Sequence, residues 1–330
     1  MFYFIMKKIF FFFFAIILCL NVMATELIKY QLVEFPSQGS IIRGRLYLPE
    51  NSLEPYSIII MAHGFTATIN GMIADKYAEE FCKAGFAVLL YDHLNFGISD
   101  GLPRQEINKW LQARGYVDAI NYVCTLPVVD KNSIALWGDS MSGAEVLLVG
   151  AVEKRVKAIV VRVPACGDSP PPADKDGALC KSMIDYFKHG DVTGKPETTI
   201  GPMPVVSFDQ QGTPSLLKPL TAFRWFIEYG GRYNTLWKNA ATYVNPNAIT
   251  IFHPGLCAKH IKAAVLMMIA EEDEMEGANS TVSRLVYDEI PSQKELIEMD
   301  GGHFGLLYYP GELFKTASKT QCNFLEKHLR

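Results

Sequence analysis

Ile134-Ala135-Leu136-Trp137-Gly138-Asp139-Ser140-Met141-Ser142-Gly143-Ala144-Glu145 decides the reading of this chain. Its first four residues suit a buried strand, a tight turn of small residues then surrounds a serine, and the amphipathic run Val146 to Ala151 follows without a breaker. The order is strand, sharp turn, helix. A serine on such a turn takes a strained backbone conformation that forces its neighbours into close contact, so small residues must flank it. Gly138 meets that need on one side, and Ser142 stands where a second glycine is usual, with Gly143 just beyond. The stretch is a variant of G-x-S-x-G centred on Ser140. A shifted register, Ser140-x-Ser142-x-Ala144, offers Ser142 instead, and an ordinary Ser/Gly turn between strand and helix is the bland alternative.

The other segments fall into place around it. Tyr56 to Ala62 and Phe86 to Tyr91 are short continuous apolar runs bounded by turn residues, as strands buried on both faces require. Ala158 to Val163 and Ala263 to Ile269 read the same way. Between them lie helical runs, one capped by Asn70 and reaching Ala84, another from Trp110 to Leu126. Strands alternating with helices imply parallel βαβ units and a sheet covered on both faces. Leu27 to Phe35 and Ile41 to Leu48 form a hairpin ahead of this core. After it come a helix from Ala278 to Glu289, a short strand from Glu295 to Glu298 and a closing helix from Glu312 to Leu329.

From Pro164 the alternation breaks for about ninety residues, punctuated by Pro170-Pro171-Pro172, Pro196, Pro202, Pro204, Pro214 and Pro219. Leu220 to Tyr229 and Tyr233 to Tyr243 carry aromatic and apolar residues at helical spacing. They predict a helical lid whose aromatics, Phe223, Trp225, Phe226, Trp237 and Tyr243, divide between lid packing and a pocket wall. The expected division is a leader over 1–24, core over 25–163, lid over 164–262 and core again over 263–330.

At 330 residues with 49% hydrophobic and 20% charged residues, the chain can bury a large core without staples. A net charge of −4 and the absence of a Lys/Arg cluster with interleaved aromatics argue against nucleic acid as a partner. Lys7 and Lys8 precede the apolar run Ile9 to Leu20, and Val22-Met23-Ala24 ends in a small residue, the pattern of an export signal cut before Thr25. The run falls short of the ~20 residues that span a bilayer, so no lasting membrane insertion is expected after cleavage, an uncleaved anchor being the alternative. Outside the leader stand six cysteines, of which Cys166 and Cys180 flank the polar loop Gly167 to Gly177 and form the first candidate disulfide. No His/Cys spacing suits zinc, and no metal or cofactor is expected.

A serine hydroxyl is a poor nucleophile unless a histidine takes its proton and a carboxylate orients that histidine. Of seven histidines, His303 alone lies in a glycine-rich turn, Gly301-Gly302-His303-Phe304-Gly305, directly after a late strand. Glu271, Glu272, Asp273 and Glu274 follow the strand ending at Ala270, at the edge where parallel sheets build their sites. Asp273 is the first choice and Glu272 the second. Two backbone amides must also meet the oxyanion of acyl transfer. Met141, after the serine, supplies one, and Phe65 in His63-Gly64-Phe65 the other, with His63 bracing that loop.

On His63-Gly64-Phe65, Tyr91-Asp92 with Phe96-Gly97-Ile98-Ser99-Asp100-Gly101, Trp137 to Gly143, Ala270 to Asp273 and Gly301 to Phe304, the chain from Ile28 onward resembles the α/β-hydrolase superfamily. The resemblance is strongest to its dienelactone-hydrolase-like and Xaa-Pro-peptidase-like branch of esterases, thiohydrolases and fungal polyketide transferases. It implies an α/β fold with a mostly parallel sheet, nucleophile Ser140, acid Asp273, base His303 and oxyanion donors Phe65 and Met141. Leu94-Asn95 replaces the family's usual Arg-Gly, and Asn tolerates the left-handed backbone of that turn. The expectation is an exported serine hydrolase acting on a small or medium uncharged acyl ester. Thioester hydrolysis, acyl transfer and peptidase activity share the same residues, and a non-catalytic binding module is the rival of another class.

Overall fold

A computed structural model describes residues 29–50 and 54–330, so the expected leader lies outside the described residues. Tyr30–Ser37 (β1) and Ser40–Tyr47 (β2) form the hairpin, paired antiparallel around Gln38-Gly39. Tyr56–Ala62 (β3), Ala74–Lys83 (α1), Ala87–Tyr91 (β4), Glu106–Ile107 (β5) and Lys109–Val123 (α2) follow. Val129–Asp139 (β6) then runs into Met141–Val152 (α3), with Ser140 alone between them, and Val156–Arg162 (β7) comes next. Ala178–His189 (α4), Thr199–Met203 (β8), Leu220–Trp225 (α5) and Ala241–Val244 (β9) make up the insertion. Ala264–Ala270 (β10), Ser280–Glu289 (α6), Lys294–Met299 (β11) and Glu312–Leu329 (α7) complete the chain.

The main sheet has eight strands in the order β1-β2-β4-β3-β6-β7-β10-β11. From β4 to β11 every pairing is parallel, and only the β1 and β2 pairings are antiparallel. Parallel strands need covered crossovers, and the core is accordingly split in two by the sheet. One face packs Trp110, Tyr116, Val146 and Val282 from α2, α3 and α6; the other packs Tyr77, Phe81, Phe314 and Phe324 from α1 and α7. α1 shows how pattern becomes packing: Tyr77, Ala78, Phe81 and Cys82 are buried at helical spacing, while Lys76 and Glu79 pair at 2.7 Å on the outer side. Each large apolar side chain buried this way contributes roughly 1.5–3 kcal/mol.

Three expectations need correction. Asn70 does not cap α1, which starts at Ala74; its side chain accepts from Arg45 Nη2 at 2.6 Å and donates to the Asn234 carbonyl. Tyr233 to Tyr243 is not helical. Its last residues enter β9, which pairs parallel with β5 and antiparallel with β8 in a separate three-stranded sheet, so non-local pairing overrides local apolar spacing. Cys180 bonds Cys257, with Cα atoms 5.3 Å apart, and Cys166 is a buried free thiol. Closeness in sequence misled here, because Cys257 comes to α4 from across the insertion.

The insertion is fastened to the loops at the carboxyl ends of the strands. Trp225 Nε1 donates to the Leu307 carbonyl at 2.9 Å and its ring stacks on Phe304 at 5.4 Å. Trp237 Nε1 donates to Thr66 Oγ1 at 3.2 Å.

Candidate active site

Register places the parts. Ala62 pairs with Gly138 and Asp139 with Arg162, so the loop after β3 lies beside the turn after β6. Ser140 has φ 52° and ψ −116°, a positive-φ conformation that a non-glycine residue adopts only where its surroundings enforce it. The surroundings do so: its amide donates to the Arg162 carbonyl at 2.9 Å and its carbonyl accepts from the Ala165 amide at 2.8 Å. A Cβ at Gly138 would lie 2.4 Å from the Ser142 carbonyl oxygen, and one at Gly64 would lie 2.7 Å from that of Asp139. Both positions therefore need glycine for close approach, not merely for flexibility.

Ser140, His303 and Asp273 come together from three different loops. His303 Nε2 lies 2.9 Å from Ser140 Oγ, while His303 Nδ1 lies 2.8 Å from Asp273 Oδ2 and 3.0 Å from Oδ1. The side chains of His303 and Asp273 are 3% and 2% exposed, so water scarcely competes for these contacts. Asp273 Oδ1 also accepts from the Met275 amide at 2.9 Å. Glu272, the second candidate acid, is exposed to solvent and takes no part. A carboxylate on Nδ1 fixes a neutral imidazole as the Nδ1–H tautomer, which leaves Nε2 free to accept the serine proton. Phe65 and Met141 line the same cleft as Ser140 and His303, a cavity of about 590 Å³.

Further residues support this arrangement, of which the sequence points to His63 as a brace but gives Asp139 and Arg162 no role. The Glu274 carboxylate accepts from the His303 amide at 2.8 Å; burial is the largest influence and opposes its charge, but that hydrogen bond, the Thr221 side chain and the His303 ring together hold the group below the usual carboxylate value. Asp139 Oδ1 accepts from the Gly64 amide at 2.9 Å and lies 3.6 Å from His63 Nδ1, while Asp139 Oδ2 lies 3.6 Å from Arg162 Nη2. Burial works against the Asp139 charge, yet His63, Arg162 and the Gly64 amide together keep its pKa low. His63 Nε2 in turn accepts from the Ala74 amide at 3.2 Å, bracing the start of α1.

Ser142 is fully buried and points away from the cleft, donating to the His63 carbonyl with His93 Nε2 3.0 Å from its oxygen. Burial pushes His93 down to about 3, so the ring is neutral, and the same Nε2 lies 3.1 Å from the His63 carbonyl oxygen. Glu145, just past the first turn of α3, is also fully buried, and burial raises it well above the usual value. Its protonated form is the one such a site accommodates. The serine at 142 in place of glycine was the signal of this inner cluster, but its partners lie 49 and 79 residues away.

The chain is similar to known proteins along most of its length. A thiohydrolase from Eupenicillium brefeldianum is 29% identical over 310 residues, covering 91% of this chain and 95% of that protein. A quorum-quenching protein from Acinetobacter baumannii is 26% identical over 311 residues, covering 89% and 94%. The crystal structure of an α/β hydrolase from Penicillium sp. sh18 superposes with a TM-score of 0.70 at 24% identity, over 91% of this chain and 99% of that one, and the fold is the α/β-hydrolase fold. The model of the family described as serine aminopeptidase, S33 matches residues 54–308, and the chain belongs to that family of hydrolases.

Proposed function

We propose that this protein is a serine hydrolase that cleaves acyl esters by way of a covalent acyl-enzyme. One observation carries the reading: a single imidazole bridges a serine hydroxyl at 2.9 Å and a buried carboxylate at 2.8 Å. That geometry supplies the base and its orienting group at hydrogen-bond reach, which is what a serine needs to act as a nucleophile. In this reading Ser140 Oγ attacks the substrate carbonyl carbon as its proton passes to His303 Nε2. The amides of Phe65 and Met141 meet the oxyanion. Collapse breaks the bond to the leaving group, which takes the proton from His303. Water then gives a proton to His303 and attacks the acyl carbon, and collapse of the second tetrahedral species frees the acid and returns the proton to Ser140. Asp273 holds the imidazole in the required tautomer throughout.

Thioester hydrolysis is the second reading, favoured by the similarity to the Eupenicillium brefeldianum thiohydrolase along almost its whole length. Export is part of the proposal as well. The leader pattern and the Cys180–Cys257 disulfide both fit an oxidising compartment.

Fluorophosphonate labelling of the wild type, Ser140→Ala and Ser142→Ala tests the reading. Label on the wild type and on Ser142→Ala, with none on Ser140→Ala, is the expected result. Failure to label the wild type would leave a binding module on the hydrolase scaffold. A panel of p-nitrophenyl esters, thioesters and aminoacyl amides then ranks the acyl bonds.

A further inference from the structure

The cleft beside Ser140 is walled largely by apolar side chains, among them Leu216, Trp225, Phe226 and Phe304, with charged groups confined to a few positions. Two of these neutralise each other: Lys218 pairs with Glu276 at 3.2 Å. Lys109 does not. Among the described residues no carboxylate lies within ion-pair distance of it, the buried Glu145 feels its charge only at longer range, and its ammonium group lies 5.7 Å from the centre of the Phe252 ring.

Lys109 is also the first residue of α2, whose opening turn holds no acidic residue. A cation there opposes the helix dipole, so the position costs stability rather than adding it. Asn108 caps the helix by accepting from the Trp110 and Leu111 amides, so the lysine has no part in capping.

Two asparagines line the same cleft. Asn245 Oδ1 accepts from the Asn247 amide at 3.1 Å, and Asn247 Oδ1 accepts from the Phe252 amide at 3.4 Å. Both acceptor oxygens are engaged, and neither Nδ2 group has an acceptor among the described residues. One ammonium and two amide nitrogens, on the half-buried Lys109 and Asn245 and the exposed Asn247, therefore offer donors to the cleft and its solvent. Asp168 lines the same cleft; it is exposed and accepts from the Ser169 hydroxyl at 3.3 Å, without an ion pair to Lys109.

We infer that the substrate carries a carboxylate that Lys109, Asn245 and Asn247 receive, which makes these three residues the specificity determinants of the cleft. One cation and two neutral donors match a planar, singly charged, two-oxygen acceptor. The inference rests on the reading of Ser140 as nucleophile and replaces the uncharged substrate expected from composition.

The test compares p-nitrophenyl butyrate, which is neutral, with mono-p-nitrophenyl glutarate, charged on the acyl side, and 4-carboxyphenyl butyrate, charged on the leaving-group side. The readout is the ratio of kcat/KM for each charged ester to that for the neutral one, at equal concentrations of fluorophosphonate-titrated sites. Lys109→Met should lower one of the two ratios by about tenfold or more, and which one falls tells on which side of the scissile bond the carboxylate sits. Asn247→Asp keeps the oxygen that receives the Phe252 amide but replaces the donor with an anion, and it should lower the same ratio even if Lys109→Met fails to fold. Ratios within about twofold of wild type in both variants overturn the inference and leave the serine hydrolase reading standing. A wild type that takes no fluorophosphonate overturns that reading instead.

Discussion

The hydroxyl of Ser142 donates to the carbonyl oxygen of His63, tying the turn around Ser140 to the loop that carries Phe65. Two residues that flank Ser140 thus hold the same loop from opposite sides, Ser142 at His63 and Asp139 at Gly64. The proposed oxyanion amide at Phe65 is positioned by the turn that bears the nucleophile. Ser142→Ala removes one of these ties without touching substrate. Because loss of a whole oxyanion donor costs about 10²–10³ in rate, a loosened one should lower kcat roughly tenfold with KM little changed. Steady-state kinetics beside the rate of fluorophosphonate labelling measures this, and a KM effect with kcat intact would contradict it.

Asp273 and Glu274 are adjacent, yet they hold different parts of His303. Asp273 receives its ring nitrogen and Glu274 its backbone amide. Asp273→Asn replaces an acceptor with a group that can stabilise the wrong tautomer, and kcat should fall by about 10⁴, the size of the effect known from the serine-protease triad. Glu274→Gln keeps an oxygen for the amide and should cost no more than about tenfold. Equal losses in the two variants would show that the carboxylates act as one charged unit rather than in these separate roles.

Acid should weaken the fold through His93. Its pKa is depressed from 6.5 to about 3 by burial, so below pH 6.5 the unfolded chain binds a proton that the folded chain refuses. The contribution is present above pH 6.5 and is lost progressively as pH falls toward about 3. A single group of this kind adds a slope of up to about 1.4 kcal/mol per pH unit. Denaturant unfolding of the wild type should therefore steepen with acid relative to His93→Gln, which retains a donor but does not titrate.

The Cys180–Cys257 bridge spans 77 residues of the insertion. Closing a loop of that length restricts the unfolded chain, and its loss should cost about 2–5 kcal/mol. Cys180→Ala with Cys257→Ala should lower the unfolding midpoint accordingly. Cys166, a buried thiol pushed up to about 12 by burial, should stay unreactive toward thiol reagents until the protein unfolds.

The legible parts of this chain were those in which physics acts over a few residues. Gly138, Ser140 and Gly143 announce a strained turn because the crowding that demands small residues is local. Asp273 and His303 were readable because each closely follows a late strand, apolar before Asp273 and mixed before His303, where a parallel sheet leaves its side chains at one edge. The second half of the insertion was misread for the converse reason. The aromatic spacing over residues 233–243 suits a helix, but β9 draws its stability from β5 and β8, far away in sequence.

The alternation of strand and helix and the family of the chain were thus set by local pattern, since burial on two faces of a parallel sheet leaves its period in the amino acids themselves. Tertiary structure alone decided which cysteine meets Cys180, that Ser142 serves the His63 loop and not the cleft, and that Lys109, Asn245 and Asn247 line one cleft. Each of these depends on a distance between segments that the covalent chain leaves free, and only the packing of the sheet, its helices and the insertion makes that distance short.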